Sequence, residues 1–216
     1  MRLTAILLVG STGSGKTPLG EILECRGLLG WKCRHFDFGA QLRRIAEEYG
    51  AGILTPEETA IVRRRLQTGS LFEDREFPLA AKILRAFTER ERIRAEDMII
   101  LNGLPRHIGQ AEALEAVVGV RIVILLQAAP AVIRERIFAD TGGDRAGRVD
   151  DGFEEIEGKL RDFEEQTRPL LGYYTDQGVP VLTIEVGPAT SAEELAERVE
   201  SGISGPGMNS RFDPGS

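Results

Sequence analysis

Five short apolar runs, each separated from the next by a helix-compatible stretch, predict an α/β fold in three α/β/α layers, with helices covering both faces of a five-stranded parallel sheet. Two further observations refine the class. A glycine-rich turn, Gly10-Ser11-Thr12-Gly13-Ser14-Gly15-Lys16-Thr17, stands between the first run and the first helical segment. Two segments, 39–77 and 140–147, interrupt the strand–helix rhythm, and insertions at the carboxyl ends of strands are where such folds hold ligands and carry moving parts. At 216 residues and 42% hydrophobic the chain can bury one substantial core, so a single domain over 1–203 is expected.

In chain order, the strands are read at Leu3 to Val9, Cys33 to Phe36, Met98 to Leu101, Val120 to Leu126 and Val181 to Val186. The segment Pro18 to Arg26 suits a helix, and Pro18 does not oppose it, because first-turn N–H groups lack helical partners. Asp151 to Gln177 is the longest helix candidate: Phe153, Ile156, Leu160, Phe163, Leu170, Leu171 and Tyr174 recur at three- and four-residue spacing. Pro169 should kink or divide it. Ser191 to Ile203 opens with a Ser191-x-x-Glu194 capping box and reads as a final amphipathic helix. Residues 204–216 are rich in Gly, Pro and Ser and are expected to be a disordered tail.

A formal charge of -7 argues against nucleic acid as the main partner. No apolar segment is long enough to span a membrane, and the run after Met1 is too short for a signal peptide and leads straight into the glycine-rich turn. Cys25 and Cys33 lack metal-ligand spacing and read as buried packing in a reduced, cytoplasmic protein, with a monomer expected. His35 reads as a packed strand residue, His107 as an aid to capping the next helix, and Trp31 and Tyr49 as local packing. The Arg63-Arg64-Arg65 cluster reads as a solvated face.

The turn itself has a chemistry. Its backbone N–H groups and the following helix N-terminus suit phosphate oxygens, Lys16 adds charge, and the Thr17 hydroxyl suits magnesium. A nucleoside triphosphate with magnesium is the expected ligand, held by Gly10, Ser11, Thr12, Gly13, Ser14, Gly15, Lys16 and Thr17.

Five further pieces occur in one order: Phe36-Asp37-Phe38-Gly39-Ala40-Gln41-Leu42-Arg43; Thr68-Gly69-Ser70-Leu71; Asn102-Gly103-Leu104-Pro105-Arg106 with Gln110-Ala111-Glu112-Ala113-Leu114; Arg148-Val149-Asp150-Asp151; and Gln166-Thr167-x-Pro169-Leu170 with Tyr173-Tyr174. Together they resemble the adenylate kinase family of nucleoside monophosphate kinases, over about Leu3 to Ile203. The resemblance implies reversible transfer of the ATP γ-phosphoryl group to a nucleoside monophosphate, with AMP the expected acceptor. It implies that 39–77 is a monophosphate-binding insertion and 137–148 a short lid. Gly39, Arg43, Gly103, Arg106 and Gln110 are then implied for the acceptor, Arg136 for the ATP base, and Lys16, Arg106, Arg148 and Lys159 for catalysis. Transfer between two anions needs fixed cations, and arginine forks bind phosphate bidentately without losing charge.

The chain departs from that pattern in four places. Asn102 replaces the strand-end Asp that helps hold hydrated magnesium; Asp37 is the candidate to supply the carboxylate, with helix N-cap as its other reading. Phe38 stands where a small residue usually meets the acceptor base, and Ala40 replaces the next Asp. The lid has Asp140 where an arginine belongs, with Arg145 as a substitute, and Lys159 replaces another arginine. Two other readings stay open at this point: a small-metabolite kinase using Asp37 as base toward a hydroxyl, and a nucleotide-binding sensor with weak transfer.

Overall fold

The computed structural model describes residues 3–143 and 152–205. Arg145, Arg148 and the Arg-x-Asp-Asp end of the expected lid lie outside the described residues, as does the tail beyond residue 205.

Five strands form one parallel sheet: β1 (Leu3–Gly10), β2 (Lys32–Asp37), β3 (Asp97–Asn102), β4 (Val118–Gln127) and β5 (Val181–Glu185), in the order β2-β3-β1-β4-β5. Every neighbouring pair is parallel. Side chains alternate across the pleat of the central strand. Ala5, Leu7 and Val9 join a core with Phe36, Ile99, Leu101 and Val123, while Ile6 and Leu8 face Leu19, Ile100, Ile124 and Val199 on the other side. Both faces are dry, which is why each strand reads as a continuous apolar run.

Helices α1 (Lys16–Arg26) and α9 (Ala192–Ile203) pack with the second core, and α9 carries the expected capping box between Ser191 and Glu194. On the first face lie α2 (Phe38–Glu47), α3 (Pro56–Thr68), a 3-10 turn (Asp74–Glu76) and α4 (Phe77–Arg90). Buried Phe38, Leu42, Ile45, Val62 and Ile83 of these helices, with Phe72 of the connection after α3, belong to the same apolar cluster as the sheet, so segment 39–77 is anchored to the core it interrupts. Short α5 (Ile108–Leu114) follows β3, and α6 (Pro130–Phe138) follows β4.

The helical stretch before β5 is divided. Gly152 N-caps α7 (Phe153–Asp162), five residues of π-helix follow (Phe163–Thr167), and α8 spans Leu170–Asp176. Pro169 has no N–H to continue the ladder, and immediately before it the Arg168 N–H donates back to the Phe163 carbonyl, five residues away.

Three sequence expectations are corrected. Cys25 is exposed, because it falls on the outer side of α1 near its end; Cys33 is buried as expected. Tyr49 is 83% exposed and touches little except Arg63, whose guanidinium carbon lies 4.6 Å from its ring centre. The arginine triplet on α3 is not a solvated face. Only Arg64 points outward: Arg63 donates to the Ala46 carbonyl, and the Arg65 side chain is 13% exposed, because consecutive helical residues point about 100° apart.

Burial pushes the Cys33 thiol up to about 12, with Glu24 and Asp97 adding to the effect. Reactivity belongs to the thiolate. In native protein near pH 8, a thiol-reactive chromophore should therefore modify Cys25 and leave Cys33 untouched; both should react after unfolding, and a Cys25→Ser variant should show no fast native reaction.

Candidate active site

The turn after β1 is shaped by close approach. A Cβ on Gly10 would stand 2.6 Å from Ser14 Oγ and 2.9 Å from the Leu126 carbonyl, and Gly13 and Gly15 sit at φ 73° and 98°, where side chains are strained. Gly15 precedes α1 without any side-chain cap. The first N–H groups of α1 therefore keep their capacity to donate, at the positive end of the helix. Lys16 Nζ lies over the turn and donates to the Gly10 and Ser11 carbonyls at 2.8 and 2.7 Å.

Parallel register places the ends of β2 and β3 beside this turn: Asp37 pairs with Asn102, and Asn102 with Leu8. Thr17 Oγ1 donates to Asp37 Oδ2 at 2.7 Å, while Asn102 Nδ2 donates to Thr17 Oγ1 at 3.0 Å and Asp37 Oδ2 at 3.1 Å. The two readings of Asp37 are not exclusive, since its Oδ1 also accepts from the Ala40 N–H as the N-cap of α2. A hydroxyl and a carboxylate oxygen side by side suit a hard divalent cation. His35 lies 3.4 Å from Asn102 Nδ2 and presses its ring into the space left by Gly20 on α1. Burial lowers its pKa, with Asp37 and Glu24 opposing, so the ring tends to the neutral form that can accept from the amide.

From the turn a cleft of about 250 Å³ runs beneath α2 and α3. It is lined by Lys16, Thr17, Asp37, Asn102, Arg43, Arg106, Lys159, Gly39, Gly103 and Gln110, bringing most of the expected site residues to one surface. Gly39 opens it, since a Cβ there would come within 3.4 Å of the Arg43 guanidinium. Arg43 is exposed. Arg106 is set deeper: its Nε reaches Thr167 Oγ1 at 3.5 Å, and burial pulls its pKa down while Asp162 holds it up. Among the described residues Arg106 has no carboxylate at ion-pair distance, so a partly dry cation faces the cleft. Phe38 forms part of the wall, nearly buried and edge-on to Phe72 at 5.3 Å.

Gln110 is 1% exposed and its amide is engaged at both ends: Oε1 accepts from the Arg106 N–H at 2.8 Å and Nε2 donates to the Phe72 carbonyl at 2.9 Å. A nucleobase edge would have to displace one of these bonds. His107 occupies the N-cap position of α5, but no side-chain cap bond forms; its Nε2 lies 3.0 Å from the same Phe72 carbonyl. The sequence reading missed this convergence on Phe72 and missed Arg65, which lines the cleft beside Gly69 and Ser70. Ser70, Glu73 and Glu76 follow Arg65 at five, eight and eleven residues, a spacing that gains meaning only once the intervening turn folds back.

Arg136 stands on the other side of the turn and is 3% exposed. Its Nε donates to the Gly13 carbonyl at 3.0 Å and its Nη1 to the carbonyls of Gly187 and Thr190 at 2.9 Å, tying the glycine-rich turn to the β5–α9 connection. It borders a second cavity of about 300 Å³ together with Gly15, Ile22, Thr141 and Ser191. Replacing Arg136 by Ala strips these carbonyls of a buried, charged donor. Chemical denaturation should show a loss of about 3 kcal/mol.

Comparison with known proteins accords with this geometry. No protein-family model matches the chain. An adenylate kinase of Synechococcus sp. (strain WH7803) is 31% identical over 204 residues, spanning 92% of this chain and 97% of that protein. An adenylate kinase of Kocuria rhizophila is 25% identical over 93% of this chain, and a UMP-CMP kinase of Lentinula edodes is 27% identical over 94% of it. With near full-length similarity, a β2-β3-β1-β4-β5 parallel sheet and a phosphate-type turn opening onto an arginine-lined cleft, the chain belongs to the adenylate kinase family of nucleoside monophosphate kinases.

Proposed function

We propose that this chain transfers the γ-phosphoryl group of ATP reversibly to a nucleoside monophosphate, AMP being the acceptor suggested by the relatives named adenylate kinase. The observation that carries the reading is the continuity of one cleft from Lys16 and Thr17 to Arg43, Arg106 and Lys159. Two phosphates approaching within bonding distance repel by about 4 kcal/mol per pair of unit charges near 4 Å at an effective dielectric of about 20. Cations fixed beforehand offset that cost without reorganising during the reaction.

In this reading the triphosphate lies on the 10–17 turn, and Lys16 exchanges its contacts with the Gly10 and Ser11 carbonyls for phosphate oxygens. Arg43 and Arg106 hold the acceptor phosphate. Arg106, Lys159 and Arg148, the last outside the described residues, balance charge on the group in transit. Gly39, Gly103 and Gln110 line the acceptor side, and Arg136 braces the turn from behind and borders the cavity proposed for the ATP base. Magnesium would be held by Thr17 and Asp37 with Asn102 beside them, and when bound it would neutralise phosphate charge. Asp37 is thus proposed to supply the carboxylate that Asn102 lacks.

Lys16→Met should reduce diphosphate formation at least a thousandfold with an unchanged circular dichroism spectrum; substantial residual transfer would contradict the role of the turn. Variants also separate the two kinase readings. Arg43→Ala and Arg106→Ala should each raise the KM for monophosphate tenfold or more, while Asp37→Asn should chiefly raise the magnesium concentration required for half-maximal rate. Loss of rate on Asp37→Asn that added magnesium does not recover, with Arg43→Ala and Arg106→Ala unaffected, would favour a hydroxyl acceptor.

A further inference from the structure

Resting on the monophosphate-kinase reading, we infer that Arg65 is a positioning residue for the acceptor side of the cleft. It holds the Gly69–Phe72 turn through an ion-pair network in which Arg65 and Glu76 are sheltered, while Glu73 is half-exposed and also meets Arg75. The Arg65 side chain is 13% exposed and that of Glu76 6%. Arg65 Nε and Nη2 donate to the Glu76 carboxylate at 3.2 and 2.9 Å, Nη2 also donates to Glu73 Oε1 at 2.7 Å, and Nη1 donates to Ser70 Oγ at 3.1 Å. Glu76 in turn accepts from the Glu73 N–H at 2.9 Å. One planar guanidinium therefore joins the last turn of α3, the chain crossing Ser70 and the 3-10 turn before α4.

What this network encloses gives it a role. Gly69, Ser70, Leu71 and Phe72, the span it closes, all line the cleft, as Arg65 itself does. Gly69 leaves α3 at φ 65°, and no regular structure holds residues 70–73. Phe72 is anchored in the core, and the rest of the span is placed by side-chain bonds: the Arg65 network and the Thr68 hydroxyl on one flank, and the Gln110 and His107 contacts to the Phe72 carbonyl on the other. A lysine in place of Arg65 would keep the charge and lose the fork that reaches three partners at once.

The test uses the full-length protein. Arg65→Ala should raise acceptor KM at least tenfold, leave the KM for ATP within twofold, and speed hydrogen exchange of the amides of residues 70–72 at least tenfold relative to those of β1 and β3. Arg65→Lys should give an intermediate rise, and it carries the same comparison should Arg65→Ala fail to fold. An ion pair that merely stabilises the domain would lower the Tm while leaving the acceptor KM and the relative exchange of 70–72 unchanged, and that result would overturn the inference. Absence of transfer by the wild-type protein would count against the kinase reading instead, and the exchange comparison would still decide whether Arg65 holds the turn.

Discussion

The register of three parallel strands is the constraint on which the rest of the site depends. Because β3 lies between β2 and β1, Asp37 and Asn102 end level with one another beside the glycine-rich turn, and Thr17 at the start of α1 closes the group within about 3 Å. Slipping either pairing by one residue would turn Asp37 or Asn102 to the opposite face of the sheet. Both faces of that sheet are filled with Val, Ile, Leu and Phe, so the register is strongly specified, and the polar cluster is carried by apolar packing it does not itself contribute to.

Around that fixed centre the cleft is assembled from side chains that tie distant segments together. Arg136 brackets the turn to the β5–α9 connection, and Arg65 brackets the far wall to α3. Gln110 and His107 join that wall to the segment after β3 through one carbonyl, that of Phe72. Each tie uses a planar or forked group making several bonds, so little additional rotamer freedom is lost per bond formed. Arg43 is different in kind, exposed at the cleft mouth, which suits a group whose partner is a ligand.

Much of this was legible in the sequence, for physical reasons that differ by element. The strands were readable because burial on both faces leaves nearly pure apolar runs, and α9 because its capping box is local. The glycine-rich turn was readable because close approach at Gly10 and left-handed backbone at Gly13 and Gly15 admit little else. The break in the helix before β5 was readable from Pro169, but the π-helical turn preceding it was not, since nothing in the composition of residues 163–167 sets it apart from ordinary α-helix. Arg65 escaped because its partners are distant until Gly69 reverses the chain, and an arginine beside two others looks solvated from composition alone. Cys25 was misread because an eleven-residue helix with mixed patterning does not announce which side faces the core.

The central claim is that one cleft accepts a triphosphate at the turn and a monophosphate at the arginines. Its most direct measurement is steady-state diphosphate formation by the purified protein with magnesium ATP and, separately, AMP, CMP, UMP, GMP and dTMP. The account predicts saturable turnover with a monophosphate, AMP foremost, yielding two diphosphates in equal amounts. ATP binding with no diphosphate formed from any of the five would contradict it.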